Sequence, residues 1–232
     1  MPGNVEVNIS RHMLALDAVS TFAADLIIFP ELSICGYSLY LAEESALDIN
    51  DSRLGCFQDY SLNTGSVVVV GAAEKTEAKP FISLFVFWPN GERSCIHKAI
   101  LHEDELLYFS APDSGVQFLS LQRKVAIAIC YESSVGKHIQ MASESGMEIY
   151  LASVAKTVAG IEKAHETQKR NARIYGVPVL VSNCCGECEG KPAGGSSIVI
   201  DQDGSELYSL SCMEEGFIIF DSESRSAKPC LL

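Results

Sequence analysis

Leu26-Ile27-Ile28-Phe29-Pro30-Glu31-Leu32 is the stretch from which the rest of the chain is read. Its first four residues have the composition of a buried strand, and a buried strand that ends by turning a carboxylate inward needs a reason for that carboxylate. Two later segments are built the same way. Ser94-Cys95-Ile96-His97-Lys98 ends in a lysine, and Lys124-Val125-Ala126-Ile127-Ala128-Ile129-Cys130 ends in a cysteine. An acid, a cation and a thiol are each predicted at the lip of a strand.

Outward from these segments, the periodicity alternates. Between Asn4 and Ala24, the residues Ile9, Met13, Leu16, Val19 and Ala23 recur at helical intervals and predict a helix burying one face. A strand over 25–29 follows. Ser66 to Gly71 is too short and too β-branched for a helix, and 81–88 with 92–98 read as a hairpin about Pro89-Asn90-Gly91. Strands over 125–130, 147–154 and 177–181 then alternate with helices over 137–146 and 161–175, and a β-rich stretch from Ser196 to Asp221 closes the pattern. With no repeat or linker to divide it, 1–221 is expected as one mixed α/β domain, followed by a tail over 222–232.

Composition narrows the function classes. The chain has 232 residues, 47% of them hydrophobic and 20% charged, enough for a substantial core. A formal net charge of -13 without a Lys or Arg cluster argues against nucleic acid and anionic membrane as partners. No segment approaches the roughly 20 consecutive apolar residues of a membrane span, and the opening Met1-Pro2-Gly3-Asn4-Val5-Glu6 is unlike a secretory leader. A cytoplasmic protein with its nine cysteines as reduced thiols is the expectation. Cys184, Cys185 and Cys188 lie close in sequence, but no second ligand pair follows them, so neither a metal nor an organic cofactor is expected.

A free thiol with a pKa of about 8.5 is mostly protonated at neutral pH, so a catalytic cysteine needs a base or a nearby cation. Glu31 could take the proton of Cys130. Lys98 could favour the thiolate or hold the oxygen of a tetrahedral intermediate. Taken singly, each has a plainer reading as a solvated acid, a strand-end lysine or an inert core thiol. Their joint placement at strand ends is the stronger signal.

Phe29-Pro30-Glu31-Leu32-Ser33-Ile34-Cys35-Gly36-Tyr37, then His97-Lys98, then Ile129-Cys130-Tyr131-Glu132 resemble, in order and separation, the signature blocks of the nitrilase, or carbon-nitrogen hydrolase, superfamily. The resemblance runs from about Asn4 to about Asp221. It implies a four-layer αββα sandwich that dimerises, and a Glu-Lys-Cys triad acting on small linear amides, nitriles or carbamoyl groups. Carried over, Glu31 is the general base, Lys98 stabilises the tetrahedral intermediate and Cys130 is the nucleophile that forms a thioester. Glu105, before Tyr108-Phe109, matches a second glutamate of many members, although an acidic turn would also read Glu103-Asp104-Glu105. Tyr131 and Glu132 are the candidate substrate-binding residues, and Glu132 reads equally well as a charge at a helix N-terminus.

The sequence also departs from the family. Members usually begin with a strand before the Gly-Asn pair, and here Gly3-Asn4 comes almost at once, so that strand is expected to be missing. The residues after Cys130 lack the arginine-rich pattern of relatives that bind carbamoyl amino acids. Cys130-Tyr131-Glu132 in place of Cys-Trp-Glu favours an amidase. Two other readings stay open: an N-acyltransferase using the same thioester, and a non-catalytic oligomeric binding protein of the same fold.

Overall fold

Leu26–Ile28 is a strand, β1, in the computed structural model, which describes residues 1–232, and it forms one edge of a four-stranded sheet. The chain makes two compact units. One comprises Met1–Asp113 with Glu187–Lys191, the other Ser114–Gly186 with Pro192–Leu232.

In the first unit, the leading helix α1 spans Val5–Val19. Asn4 caps it, its side-chain oxygen accepting from the Val7 N–H at 3.2 Å. The helix is shorter than the apolar pattern predicts, because a 3-10 turn over Ser20–Phe22 and a left-handed Ala23 end it. Its buried face also differs from the predicted one: Asn8 and His12 are inside, while Met13 and Ala23 are not. Asn8 is admitted because its amide donates to the carbonyls of Met1 and Ile34, both at 2.8 Å.

Helix α2, Gly55–Thr64, has no sequence counterpart, since its buried residues Phe57, Gln58, Tyr60 and Ser61 mix apolar with polar types. The Ser61 hydroxyl donates to the carbonyls of Ser66 and Phe87 and so ties α2 to the sheet. Strands β2 (Val67–Glu74), β3 (Phe81–Phe87) and β4 (Arg93–His97) complete the order β1-β2-β3-β4. β2 runs parallel to β1, and the two remaining pairings are antiparallel. β1 and β4 therefore point the same way. The chain leaves both at the same end of the sheet, carrying Glu31 and Lys98.

The second unit is built on a six-stranded sheet. β5 (Gln117–Ser120) pairs antiparallel with β6 (Lys124–Ile129). β6, β7 (Ile149–Val154) and β8 (Val179–Asn183) are parallel, with helices α3 (Gly136–Glu144) and α4 (Val158–Tyr175) in the connections. The small residues Ala126, Ala128 and Ala152 pack with Ile139, Ala142 and Ala172 of those helices in one core. After the two-residue strands β9 (Glu187–Cys188), which belongs to the first unit, and β10 (Lys191–Pro192), the chain forms β11 (Ile198–Ile200), which pairs antiparallel with β8 and with β12 (Glu206–Ser209).

Gly216–Asp221 (β13) pairs along its whole length with Ser226–Leu231 (β14). The segment read as a tail thus contains a strand. Its Ala227, Pro229 and Cys230 are half-buried, a pattern too sparse to stand out in sequence. No helix is long and apolar enough to cross a membrane.

Candidate active site

Gly71, on β2, explains where Glu31 goes. A side chain there would bring its first carbon within 2.3 Å of the Pro30 carbonyl oxygen, 2.4 Å of the Leu32 nitrogen and 2.8 Å of the Glu31 carbonyl carbon. Only glycine lets the loop after β1 lie against the strand. The loop is also tied there: the Ile34 N–H donates to Gly71 O at 2.9 Å, and the Gly71 N–H donates to Ser33 Oγ at 3.3 Å. Leu32 takes a positive φ of 50° at the turn.

Behind Ser33 stands His12. Its Nδ1 lies 2.7 Å from the Asn8 carbonyl oxygen and its Nε2 2.9 Å from Ser33 Oγ. A carbonyl only accepts, so Nδ1 carries the proton and Nε2 accepts from the Ser33 hydroxyl. Burial pushes the imidazole down to about 4, which keeps it neutral at physiological pH.

Lys98 leaves the end of β4 with its N–H donating to Ile82 O. Its ammonium is fully buried, donating to Glu31 Oε1 at 2.7 Å and to Glu105 Oε1 at 2.6 Å. Glu31 and Glu105 are each 1% exposed. Glu105 opens a 3-10 turn over Glu105–Leu107. Its Oε1 also accepts from the Tyr37 hydroxyl at 2.9 Å, and its Oε2 from the His102 N–H at 2.8 Å. A cation with two carboxylates in a place closed to water is costly to assemble unless every partner is present. Of the predicted residues, Glu31, Lys98 and Glu105 are therefore brought together, and Glu105 is not the exposed acid of a turn.

Cys130, Tyr131 and Glu132 belong to the second unit. Cys130 is the first residue past β6 and is buried, with a positive φ of 46° that a non-glycine residue seldom adopts. A 3-10 turn over Cys130–Ser134 follows. The strained turn is held from several sides. Glu132 Oε2 accepts from the Ile129 N–H at 2.8 Å, Ser133 Oγ donates to Cys130 O at 2.6 Å, and Gln168 of α4 donates to Ser133 O at 2.8 Å. Glu132 is 3% exposed, and His138, itself hydrogen-bonded to the Tyr150 hydroxyl, lies 3.9 Å from its carboxylate. Tyr131 is exposed, at 37%.

Cys130 Sγ is 4.0 Å from Ala155 O, just past β7. Asn183, at the end of β8, receives the Lys156 N–H and donates to Gly195 O at 2.7 Å. The thiol thus sits at the carboxyl ends of three parallel strands, the edge where open α/β sheets place their ligands.

Ser33, His12, Gly71 and Gln168 support these residues, and of the four only Ser33 lies within a signature block. Gly71 carried a usable signal, a glycine directly after four valines in a strand. The others are polar residues in helices or loops, and only the fold gives them a task.

Residues 1–228 match the family model described as carbon-nitrogen hydrolase. A glutamine-dependent NAD(+) synthetase of Acinetobacter baylyi is 26% identical over 97% of this chain, which spans only 43% of that relative's length. A protein of Pseudomonas protegens named hydrolase in pqqF 5′ region is 24% identical, over 94% of this chain and 78% of its own. Among solved structures, a mutant of the amidase from Nesterenkonia sp. AN1, with acrylamide added at its active-site cysteine, matches with a TM-score of 0.82 at 20% identity, covering 91% of this chain and 85% of that one. A mutant of the same amidase in complex with butyramide has the same score and identity, over 91% and 83%. These likenesses show the mixed α/β fold of the nitrilase-superfamily amidases.

Proposed function

The chain belongs to the carbon-nitrogen hydrolase family, and from that premise we propose that it hydrolyses the carbon-nitrogen bond of a small linear amide through a thioester on Cys130. The observation that carries the reading is the Glu31–Lys98–Glu105 cluster, three ionisable side chains at 0–1% exposure. A fold does not gain stability from such a cluster over apolar side chains of the same volume, so its presence is best accounted for by chemistry.

In this mechanism Glu31 accepts the Cys130 proton as sulfur attacks the amide carbonyl carbon. The oxygen takes up the displaced electron pair, and Lys98 stabilises that negative charge. Collapse expels ammonia or an amine, which leaves with the proton held by Glu31, and the acyl group stays on sulfur. Water then adds to the thioester, giving its proton to Glu31, and the second collapse returns that proton to the departing thiolate. Glu105, itself held by Tyr37 and the His102 N–H, keeps the Lys98 ammonium oriented. Tyr131, the more exposed neighbour of the nucleophile, is the substrate contact in this reading.

The test is ammonia release from a panel of short aliphatic amides together with glutamine, the last because one relative is named glutamine-dependent. Release that disappears in Cys130→Ala, with an acyl-sized mass increase trapped on Cys130, is the expected result. Equal release by Cys130→Ala overturns the reading. A product that has gained an added amine instead of water converts it to acyl transfer. A homodimer, expected from the family, would give twice the chain mass of 25.1 kDa in light scattering.

A further inference from the structure

We propose that Glu74, Cys95 and His97 form a binding site for a divalent cation of the zinc class. The site is independent of the amide chemistry. Cys95 and His97 alternate along β4 and so share a face of the sheet, and Glu74 ends β2 on the same face. One potential ligand atom from each, the thiol sulfur, an imidazole nitrogen and a carboxylate oxygen, lies within 4.8 Å of the other two. All three residues are half-buried, open enough for an ion to enter.

The three residues offer sulfur, nitrogen and oxygen donors, a set that zinc-class cations accept. Three donors converge on the Glu74 carboxylate: His97 Nε2 at 2.8 Å and Ser83 Oγ at 2.6 Å, both at Oε2, and the Cys95 thiol. Burial first, and then the nearby Glu74 carboxylate, push the Cys95 thiol well up, so without a cation it keeps its proton. A bound Zn²⁺ reverses that balance. It accepts lone pairs from the Cys95 thiolate, a His97 ring nitrogen and the Glu74 carboxylate; the thiol proton passes to solvent, and the proton that His97 Nε2 shares with Glu74 moves to Nδ1 or to solvent. Two anionic ligands and a divalent ion sum to zero charge.

The geometry needs little change. Tetrahedral zinc with bonds of about 2.0–2.3 Å sets its ligand atoms roughly 3.3–3.8 Å apart, so the Glu74–His97 pair opens by roughly half an ångström. Three protein ligands leave the fourth position to water. Ser83 stays on the carboxylate, and Phe81 packs edge-on to the His97 ring with centroids 5.4 Å apart, each fixing a ligand from outside.

The experiment uses the full chain, reduced, stripped of metal and titrated with Zn²⁺ against a chromophoric chelator, and in parallel with Co²⁺. The expected result is one equivalent of zinc and a thiolate-to-cobalt charge-transfer band. Cys95→Ser should lose the band, and Glu74→Gln should weaken binding by about tenfold or more. Zinc should also selectively slow the alkylation of Cys95 in the unsubstituted protein, read by peptide mass spectrometry, a measurement that requires no variant to fold. Absence of a stoichiometric equivalent, or a cobalt band that survives Cys95→Ser and is lost instead on replacing Cys184, Cys185 and Cys188, overturns the proposal.

Discussion

His97 and Lys98 are consecutive residues at the end of β4, and they serve two clusters with different surroundings. Lys98 is fully buried with two carboxylates, whereas the side chains of His97 and Glu74 are 26% and 20% exposed. Adjacent positions on a strand face opposite ways, so one step along the chain moves an ionisable group from closed interior to half-open surface. Water cannot replace a missing partner in the closed cluster, so each member depends on the other two. In the open cluster it can, and partners there are exchangeable.

Lys98→Met breaks this contrast most severely. It leaves Glu31 and Glu105 buried without their cation, with an expected loss of about 3–5 kcal/mol in urea unfolding. Amide turnover should fall by about 10²–10³. A stability change within about 1 kcal/mol would mean the closed cluster is not closed.

His12 is buried as well but is satisfied by being neutral. Its folded value of about 4 lies below the 6.5 of the free side chain, so the unfolded chain binds the extra proton first. Stability should therefore fall as pH drops from 6.5 towards 4, by about 3 kcal/mol at the lower end. In His12→Leu the slope over that window should flatten in pH-dependent urea titrations. An unchanged slope would assign it to other groups.

Gly71→Ala tests the support of the closed cluster without touching a charge. The added carbon displaces the Pro30–Leu32 backbone, for about 1–3 kcal/mol of stability. About 10²-fold in turnover should go with it, as Glu31 shifts. Retained activity would show that the loop has slack.

The smallest effect is expected from Glu74→Gln. Burial raises the Glu74 carboxyl, but hydrogen bonds from His97 and Ser83 outweigh it and hold the group below its usual value of 4.5. That stabilising contribution is present above 4.5 and is lost as pH falls through the lower, folded value. The variant should differ from the parent by under about 1 kcal/mol at pH 7 and by less at about pH 3. A difference as large as that of Lys98→Met would erase the distinction between the clusters.

The closed cluster was legible in sequence because Glu31 and Lys98 each follow a strand, after Phe29-Pro30 and after His97, while Glu105 precedes the aromatic pair Tyr108-Phe109. The β2–β3–β4 meander and the β6–α3–β7–α4–β8 alternation were legible through apolar runs of strand length. The open cluster was not. Glu74 and Cys95 are 21 residues apart and no spacing rule links them, so only the antiparallel register of β2, β3 and β4 puts them on one face. Helix α2 and strand β14 escaped for a related reason: each buries polar or isolated residues whose partners come from elsewhere in the chain.

The backbone at Cys130 has a consequence for which sequences suit this fold best. A side chain at a φ of 46° is held against its own preference, so the best residue for the turn after β6 is not the one found there. Cys130→Gly should unfold at higher urea than Cys130→Ala, by up to about 1 kcal/mol, although both lack the sulfur. Drift towards stability alone would favour glycine at this position, so the cysteine there is carried at a cost in backbone strain.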